Sequence, residues 1–291
     1  MSLFKGAATA LITPMKDDKV DYDSLEKLVN LQLQGNIDAL IVNGTTGEPT
    51  TLTHSERTKI ATTVIDIVDK RIPVILGAGS NNTYTAIEYA QENESLGADG
   101  VLTVTPYYNK CTQAGIVAHY KALANSINLP IIMYNVPGRT GVNIAPETLV
   151  KLAGYKNIVA IKEASGNINQ FMEVARLVGD KMDIYSGDDG LVLPILALGG
   201  IGVISVASNI IPQYMHDMVY KFFDGDIIAS REMQLKLAPL VKELFAEVNP
   251  IPIKCACKLM GWCDDYMRLP LTKCSTEANL AKAMREFGLE F

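Results

Sequence analysis

The sequence predicts an α/β protein folded as a (β/α)8 barrel of the TIM type with a C-terminal helical extension, and three observations lead there. Eight short apolar, β-branched runs recur along the 291 residues, each followed by a helical pattern. Strands that are apolar throughout and alternate with helices form a parallel sheet covered by helices, and eight such units close into a barrel of about 250 residues. No G-x-G-x-x-G turn follows the first run, which disfavours a doubly wound dinucleotide fold.

In chain order the predicted strands are 8–12, 39–42, 74–76, 101–104, 131–134, 159–162, 183–186 and 203–206. Between them, Leu25, Leu28 and Val29 have the spacing of a helix that buries one face. Thr53 and Glu56 form a capping-box pair at a helix start, and Pro146 suits a first helical turn. Gly77-Ala78-Gly79 lacks the last glycine of a dinucleotide turn and reads as a tight turn. The stretch between Asp189 and His216 contains no Asp, Glu, Lys or Arg and is long enough to cross a membrane. Pro194, Gly199, Gly200 and Gly202 divide it instead into a short helix and a buried strand. Beyond Asp224 the strand-like runs stop. Residues 233–247 and 277–287 read as helices, with Asn249-Pro250-Ile251-Pro252 as a rigid connector. Residues 1–224 are therefore expected to form the barrel, and 225–291 a helical extension packed on it.

Composition excludes some functions. A hydrophobic content of 48% and a charged content of 20% are those of a globular protein. The net charge of −6 disfavours a nucleic-acid or anionic-membrane binder, but leaves anionic small molecules open as ligands. The five cysteines, Cys111, Cys255, Cys257, Cys263 and Cys274, have no disulfide-framework or zinc spacing and read as reduced thiols of a cytoplasmic protein. His54, His119 and His216 form no cluster, so no metal is expected. The stretch MSLFKGAATALITP is too short for a signal peptide and reads as a first strand.

In such a barrel the chemistry lies at the C-terminal ends of the strands. There the sequence places Gly44-Thr45-Thr46-Gly47-Glu48, Thr105-Pro106-Tyr107-Tyr108-Asn109, Tyr134-Asn135-Val136-Pro137-Gly138-Arg139, Lys162-Glu163, Ser186-Gly187-Asp188-Asp189 and Ile204-Ser205. Each has an ordinary explanation: a lysine snorkelling to water, tyrosines in the core with exposed hydroxyls, a solvated arginine, and turn threonines. Their coincidence at one set of strand ends favours chemistry. A lysine at the end of an apolar strand loses hydration, which lowers its pKa from ~10.4, and a neutral amine attacks a ketone to form a Schiff base. Such a reaction needs a proton relay, which Tyr134 and Thr45 have the groups to supply, and a carboxylate holder, which suits Arg139. Lys162 is the expected nucleophile. No cofactor is required.

The motifs G-T-T-G-E, T-P-Y-Y-N, Y-N-V-P-G-R-T-G, K-E-A-S-G-N, S-G-D-D and G-G-I-G-V-I-S-V, with N-P-I-P-I-K and R-L-P-L further on, together resemble the dihydrodipicolinate synthase family nearly end to end. The resemblance implies a lyase that condenses pyruvate with L-aspartate 4-semialdehyde to 4-hydroxy-tetrahydrodipicolinate, in lysine and diaminopimelate synthesis. It implies that pyruvate is held covalently on Lys162 and that Tyr134, Thr45 and Tyr108 relay protons, with Tyr108 delivered by a neighbouring subunit. Thr46 would hold the pyruvate carboxylate, Arg139 that of the semialdehyde, and Gly187 and Ile204 would line the pocket through their carbonyls. A homotetramer built as a dimer of dimers is implied as well. N-acetylneuraminate lyase and keto-deoxy-sugar acid aldolases share the lysine, the tyrosine and the G-[ST]-T-G-E turn, whereas Arg139 and the Tyr107-Tyr108 pair favour the synthase. The reading from another class is a catalytically silent barrel binding a small anion at Gly199-Gly200. Such a barrel has no use for Lys162, Tyr134 and Thr45 together. The family's effector cleft corresponds to Pro49, Thr50, His54, Arg57, Asn81, Thr85 and Tyr107. Of these, His54, Asn81 and Tyr107 match the pattern of lysine-sensitive members. Thr85 and Arg57 stand where those members have glutamate and histidine, so weak or absent feedback by lysine is expected.

Overall fold

The computed structural model describes residues 2–291. Eight parallel strands close a barrel: β1 Gly6–Ala10, β4 Ala39–Val42, β5 Val74–Gly77, β6 Gly100–Val104, β7 Ile131–Asn135, β8 Ile158–Glu163, β9 Asp183–Ser186 and β10 Gly202–Ser205, in the order β1-β10-β9-β8-β7-β6-β5-β4. Two further short strands, β2 Met15–Lys16 and β3 Lys19–Val20, pair antiparallel in a separate two-stranded sheet. Sequence reading missed this hairpin because two-residue strands show no periodicity.

The helices are α1 Tyr22–Gln34, α2 His54–Val68, α3 Thr83–Ser95, α4 Gln113–Ala124, α5 Pro137–Thr140, α6 Pro146–Leu152, α7 Ile168–Val178, α8 Val192–Ala197, α9 Pro212–Phe223, α10 Ile227–Leu244, α11 Ile251–Leu259 and α12 Glu277–Phe287. Their starts follow the local chemistry. The Thr53 hydroxyl accepts from the Glu56 amide at 3.2 Å while the Glu56 carboxylate accepts from the Thr53 amide at 2.9 Å, so both halves of the capping box form. Pro146 opens α6, and Leu25, Leu28 and Val29 form the buried stripe of α1.

The charge-free stretch contains α8 and β10, as its proline and glycines dictate. No helix of the described residues is long and apolar enough to cross a membrane. Several boundaries differ from expectation, four of them for identifiable local reasons. β1 and β10 start before the apolar runs that mark them, because Gly6 and Gly202 pair as strand residues although neither has a side chain to signal it. α10 begins at Ile227 rather than Met233, because the Asp226 carboxylate caps it by accepting from the Ala229 amide at 3.2 Å. The expected rigid connector ends at Pro250. Ile251 and Pro252 already belong to α11, whose first turn tolerates a proline.

The chain forms two compact units, one of residues up to Gly6 with Pro73–Ile204 and the other of Ala7–Ile72 with Ser205–Phe291. In the first, Ile131, Met133, Ile161 and Ile184 pack against Phe171, Val174 and Val178 of α7. In a strand, alternate residues face opposite sides. Residues 134 and 162 therefore point away from the helices, and Asn135 and Glu163 point toward them. In the second unit, Gln32 of α1 donates to the carbonyls of Ser208 and Asn209 at 3.1 and 3.2 Å. Asn209 in turn donates to the Ala10 carbonyl at 2.8 Å and accepts from the Ile12 amide at 3.1 Å.

Where β10 meets the first residues of the chain the backbones are too close for a side chain. A Cβ on Gly202 would lie 2.0 Å from the Gly6 carbonyl oxygen. Gly202→Ala is expected to destabilise the protein by ~1–3 kcal/mol, the usual cost of forced overpacking. Gly154→Ala, where a Cβ meets nothing within 4 Å, should stay within ~0.5 kcal/mol of the parent. Chemical denaturation of the two variants side by side checks this.

Candidate active site

Lys162 occupies the second-last position of β8, with a relative exposure of 5%. Its register partners on the adjacent strands are Tyr134 of β7 and Tyr185 of β9, so the lysine stands between two tyrosines on the face turned away from the helices. The Nζ lies 4.4 Å from the centre of the Tyr134 ring. Gly187, one residue past β9, leaves room for the lysine stem: a Cβ there would meet Lys162 Cε at 3.0 Å and Cγ at 3.1 Å. A larger residue would crowd the lysine stem and Ala164, whose Cβ lies 2.7 Å from that position.

Burial pushes the Lys162 pKa down to about 8. Asp189 opposes the shift and Arg139 reinforces it. Glu163, the next residue, would hold the ammonium form if it faced the same way. Strand alternation sends it to the helix side, where its carboxylate accepts from the Asn135 side-chain amide at 2.9 Å and the Ser165 backbone amide at 2.7 Å. Asn135 also donates to Asn143, and Asn143 and Gln170 exchange hydrogen bonds at 2.8 and 3.0 Å. This buried polar layer locks the ends of β7 and β8 in register behind the lysine.

Arg139 is exposed on α5, a single turn opened by Pro137 and closed by Gly141 at φ 70°. Tyr108 is 89% exposed with φ 72°, a conformation costly for an aromatic residue. The Asn109 amide donates to the Tyr107 carbonyl at 2.9 Å, which closes a tight γ-type turn centred on Tyr108 and holds its phenol out in solvent. Tyr107 and Asn81 are partly buried in the same unit, and Ile204 is buried in β10.

The second unit carries Thr45 and Thr46 on a 3-10 turn, Thr45–Gly47, directly after β4. Thr46 is 3% exposed, and its hydroxyl accepts from the Asn249 side-chain amide at 2.9 Å. The Gly47 carbonyl accepts from the Thr13 hydroxyl at 2.8 Å. Glu48 adopts a left-handed conformation and accepts from Lys254 Nζ at 2.7 Å, in a pair buried on both sides. His54 is exposed at the start of α2. The sequence marks neither Asn249 nor Lys254 as a partner of this turn, and it marks Asp189 only within the S-G-D-D motif. Their roles depend on contacts between residues far apart in sequence. Among the described residues no group of three His, Cys, Asp or Glu side chains is placed to hold a metal.

The fold is an α/β barrel with a desolvated lysine amine at a strand end. The profile of the dihydrodipicolinate synthetase family matches residues 3–285, and the chain belongs to that family. It is 52% identical to a 4-hydroxy-tetrahydrodipicolinate synthase of Caldicellulosiruptor bescii over 99% of each chain. The crystal structure of dihydrodipicolinate synthase from Thermotoga maritima superposes with a TM-score of 0.97 at 45% identity, covering 99% of each chain. A chloride-inhibited dihydrodipicolinate synthase from Acinetobacter baumannii, solved in complex with pyruvate, has a TM-score of 0.95 at 42% identity over 98% of this chain and 99% of that one.

The low Lys162 pKa sets a pH dependence. An amine lowered to about 8 is increasingly neutral above that pH and protonated below it. Acylation of Lys162 by an amine-selective reagent should therefore rise with pH and reach half its plateau near pH 8. Asp189 holds the ammonium form, so Asp189→Asn should move the midpoint to lower pH. An unmoved midpoint would show that Asp189 does not act on the amine.

Proposed function

We propose that the protein is a 4-hydroxy-tetrahydrodipicolinate synthase, condensing pyruvate with L-aspartate 4-semialdehyde in lysine and diaminopimelate synthesis. The observation that carries the reading is the Lys162 amine, 5% exposed and 4.4 Å from the Tyr134 ring, in a chain whose relatives bear that name along their whole length.

The neutral amine attacks the pyruvate ketone carbon, and the carbinolamine loses water to give an iminium ion. The iminium withdraws electrons from the methyl group, which gives up a proton and becomes an enamine. The enamine carbon adds to the aldehyde carbon of the semialdehyde, whose oxygen takes a proton and becomes the product hydroxyl. The semialdehyde amine then attacks the iminium carbon, closing the ring and expelling Lys162 as a free amine. Each step moves a proton, and Tyr134, Thr45 and Tyr108 are the proposed relay. Thr46 holds the pyruvate carboxylate, Arg139 receives that of the semialdehyde, and the Gly187 and Ile204 carbonyls line the pocket. No cofactor enters the sequence of steps. The exposed, strained setting of Tyr108 supports a role toward a second copy of the chain, as in a homotetramer built as a dimer of dimers.

The test is pyruvate with borohydride followed by peptide mapping. A single reduced adduct on Lys162 is expected, and Lys162→Ala should lose several orders of magnitude in turnover while keeping its fold. Arg139→Ala should retain the pyruvate adduct and weaken semialdehyde recognition, raising its half-saturating concentration. An adduct on Lys254 or Lys258 with Lys162 unmodified, or faster cleavage of N-acetylneuraminate than condensation, would overturn the assignment.

For regulation we propose that lysine is recognised weakly or not at all at His54, Asn81 and Tyr107, because Thr85 and Arg57 supply a hydroxyl and a fixed cation where an ammonium ligand needs an anion. Losing one charge-assisted bond costs ~1.5–3 kcal/mol. Steady-state assays with lysine through the millimolar range should show little inhibition. Half-inhibition below about 1 mM, equivalent to ~4.1 kcal/mol, would refute the proposal.

A further inference from the structure

The Thr45–Gly47 turn is held from a segment two hundred residues away in sequence, and the manner of holding decides what the turn can bind. The Asn249 side-chain amide donates to the Thr46 hydroxyl oxygen at 2.9 Å, with both residues buried. A hydroxyl has one proton and two lone pairs. With a lone pair filled by an N–H donor, the Thr46 proton is directed away from Asn249 and remains available to an acceptor.

Five residues later, Lys254 on α11 donates to Glu48 at 2.7 Å, with side chains 0% and 1% exposed. A buried ion pair is a poor source of stability compared with apolar residues of the same volume. Here it serves two other ends. It anchors Glu48, the left-handed residue that closes the turn and whose amide donates to the Thr45 carbonyl at 3.2 Å. It also neutralises a carboxylate that would otherwise oppose a second anion two residues along the chain. Thr13 fixes the Gly47 carbonyl at 2.8 Å, so the turn is restrained at successive residues.

From this clamp we infer that Asn249 is a positioning and specificity-determining residue: by donating to Thr46 it directs the hydroxyl proton away from itself and so favours a carboxylate at the Thr45–Gly47 turn, with the Lys254–Glu48 pair offsetting the nearby carboxylate charge. The inference rests on the reading of the turn as the place where a 2-keto acid is held. It gives the chain after α10 a catalytic purpose that its helical character does not announce.

The experiment measures the pyruvate concentration that half-saturates borohydride trapping in the full-length protein, for Asn249→Ala, Thr46→Val and the double variant. Asn249→Ala should raise that concentration about tenfold, the scale of a hydrogen bond to a charged group, and leave trapping at saturation close to the parent. If Asn249 works through Thr46, adding Asn249→Ala to Thr46→Val should change it less than about twofold, since the two side chains act as one unit. A role confined to packing would give equal effects in both backgrounds, and that result overturns the inference. Asn249→Asp keeps the shape but replaces the donor by an acceptor, which turns the Thr46 proton inward. It should weaken pyruvate at least as much as Asn249→Ala, and an unchanged half-saturation overturns the inference even if Asn249→Ala fails to fold. A parent protein that pyruvate and borohydride do not label would refute the proposed function itself. A labelled parent with indifferent Asn249 variants would refute only the positioning role.

Discussion

Moving an ammonium group from water to the end of a buried strand removes hydration that one carboxylate only partly replaces. At Lys162 that loss outweighs the help from Asp189, and the Arg139 charge adds to it, so the amine settles at about 8. Much of the surrounding architecture keeps this imbalance in place. The lysine has tyrosines as register partners on both neighbouring strands and a glycine beside its stem. None of these offers the full negative charge that would hold the proton.

The same constraint explains why Glu163 can follow Lys162 directly. An acid next to the amine on the same face would form an ion pair and raise its pKa. The two-residue period of a strand separates them at no cost in sequence distance. The carboxylate is then satisfied on the helix side by neutral donors from Asn135 and Ser165, which continue through Asn143 and Gln170 toward α7. The arrangement uses a buried acid to lock two strand ends, and keeps its charge on the opposite face of the sheet from the amine.

In the second unit a turn holds its hydroxyls in a defined direction. A turn with two adjacent threonines has many rotamers, and binding an anion with it requires that they be restricted beforehand. The restriction comes from Thr13 on one side and from Asn249 and Lys254 on the other. Arg268, which pairs with both carboxylate oxygens of Glu56 at 2.8 and 2.6 Å, ties the following helix to the C-terminal segment in the same way. The motifs that lie beyond the last barrel strand thus act on residues near its beginning.

How much of this the sequence determined depends on the range of the interaction. Apolar runs separated by helical patterns were sufficient for the barrel, because strand and helix periodicities are local. The capping box of Thr53 and Glu56 and the proline at 146 were legible for the same reason. Lys162 stood out because a lysine at the end of an apolar run contradicts its own solvation preference. The strand starts at Gly6 and Gly202, the hairpin at Met15–Val20 and the helical start at Ile251 were not legible, since glycines and short paired segments carry little pattern. Only the tertiary structure decided that Tyr185 flanks the lysine, that Asp189 and Arg139 act on it in opposite directions, and that Asn249 and Lys254 hold the threonine turn. Each of these is a contact between residues distant in sequence, and its energy exists only once strand register and helix packing have brought the partners within a few ångströms.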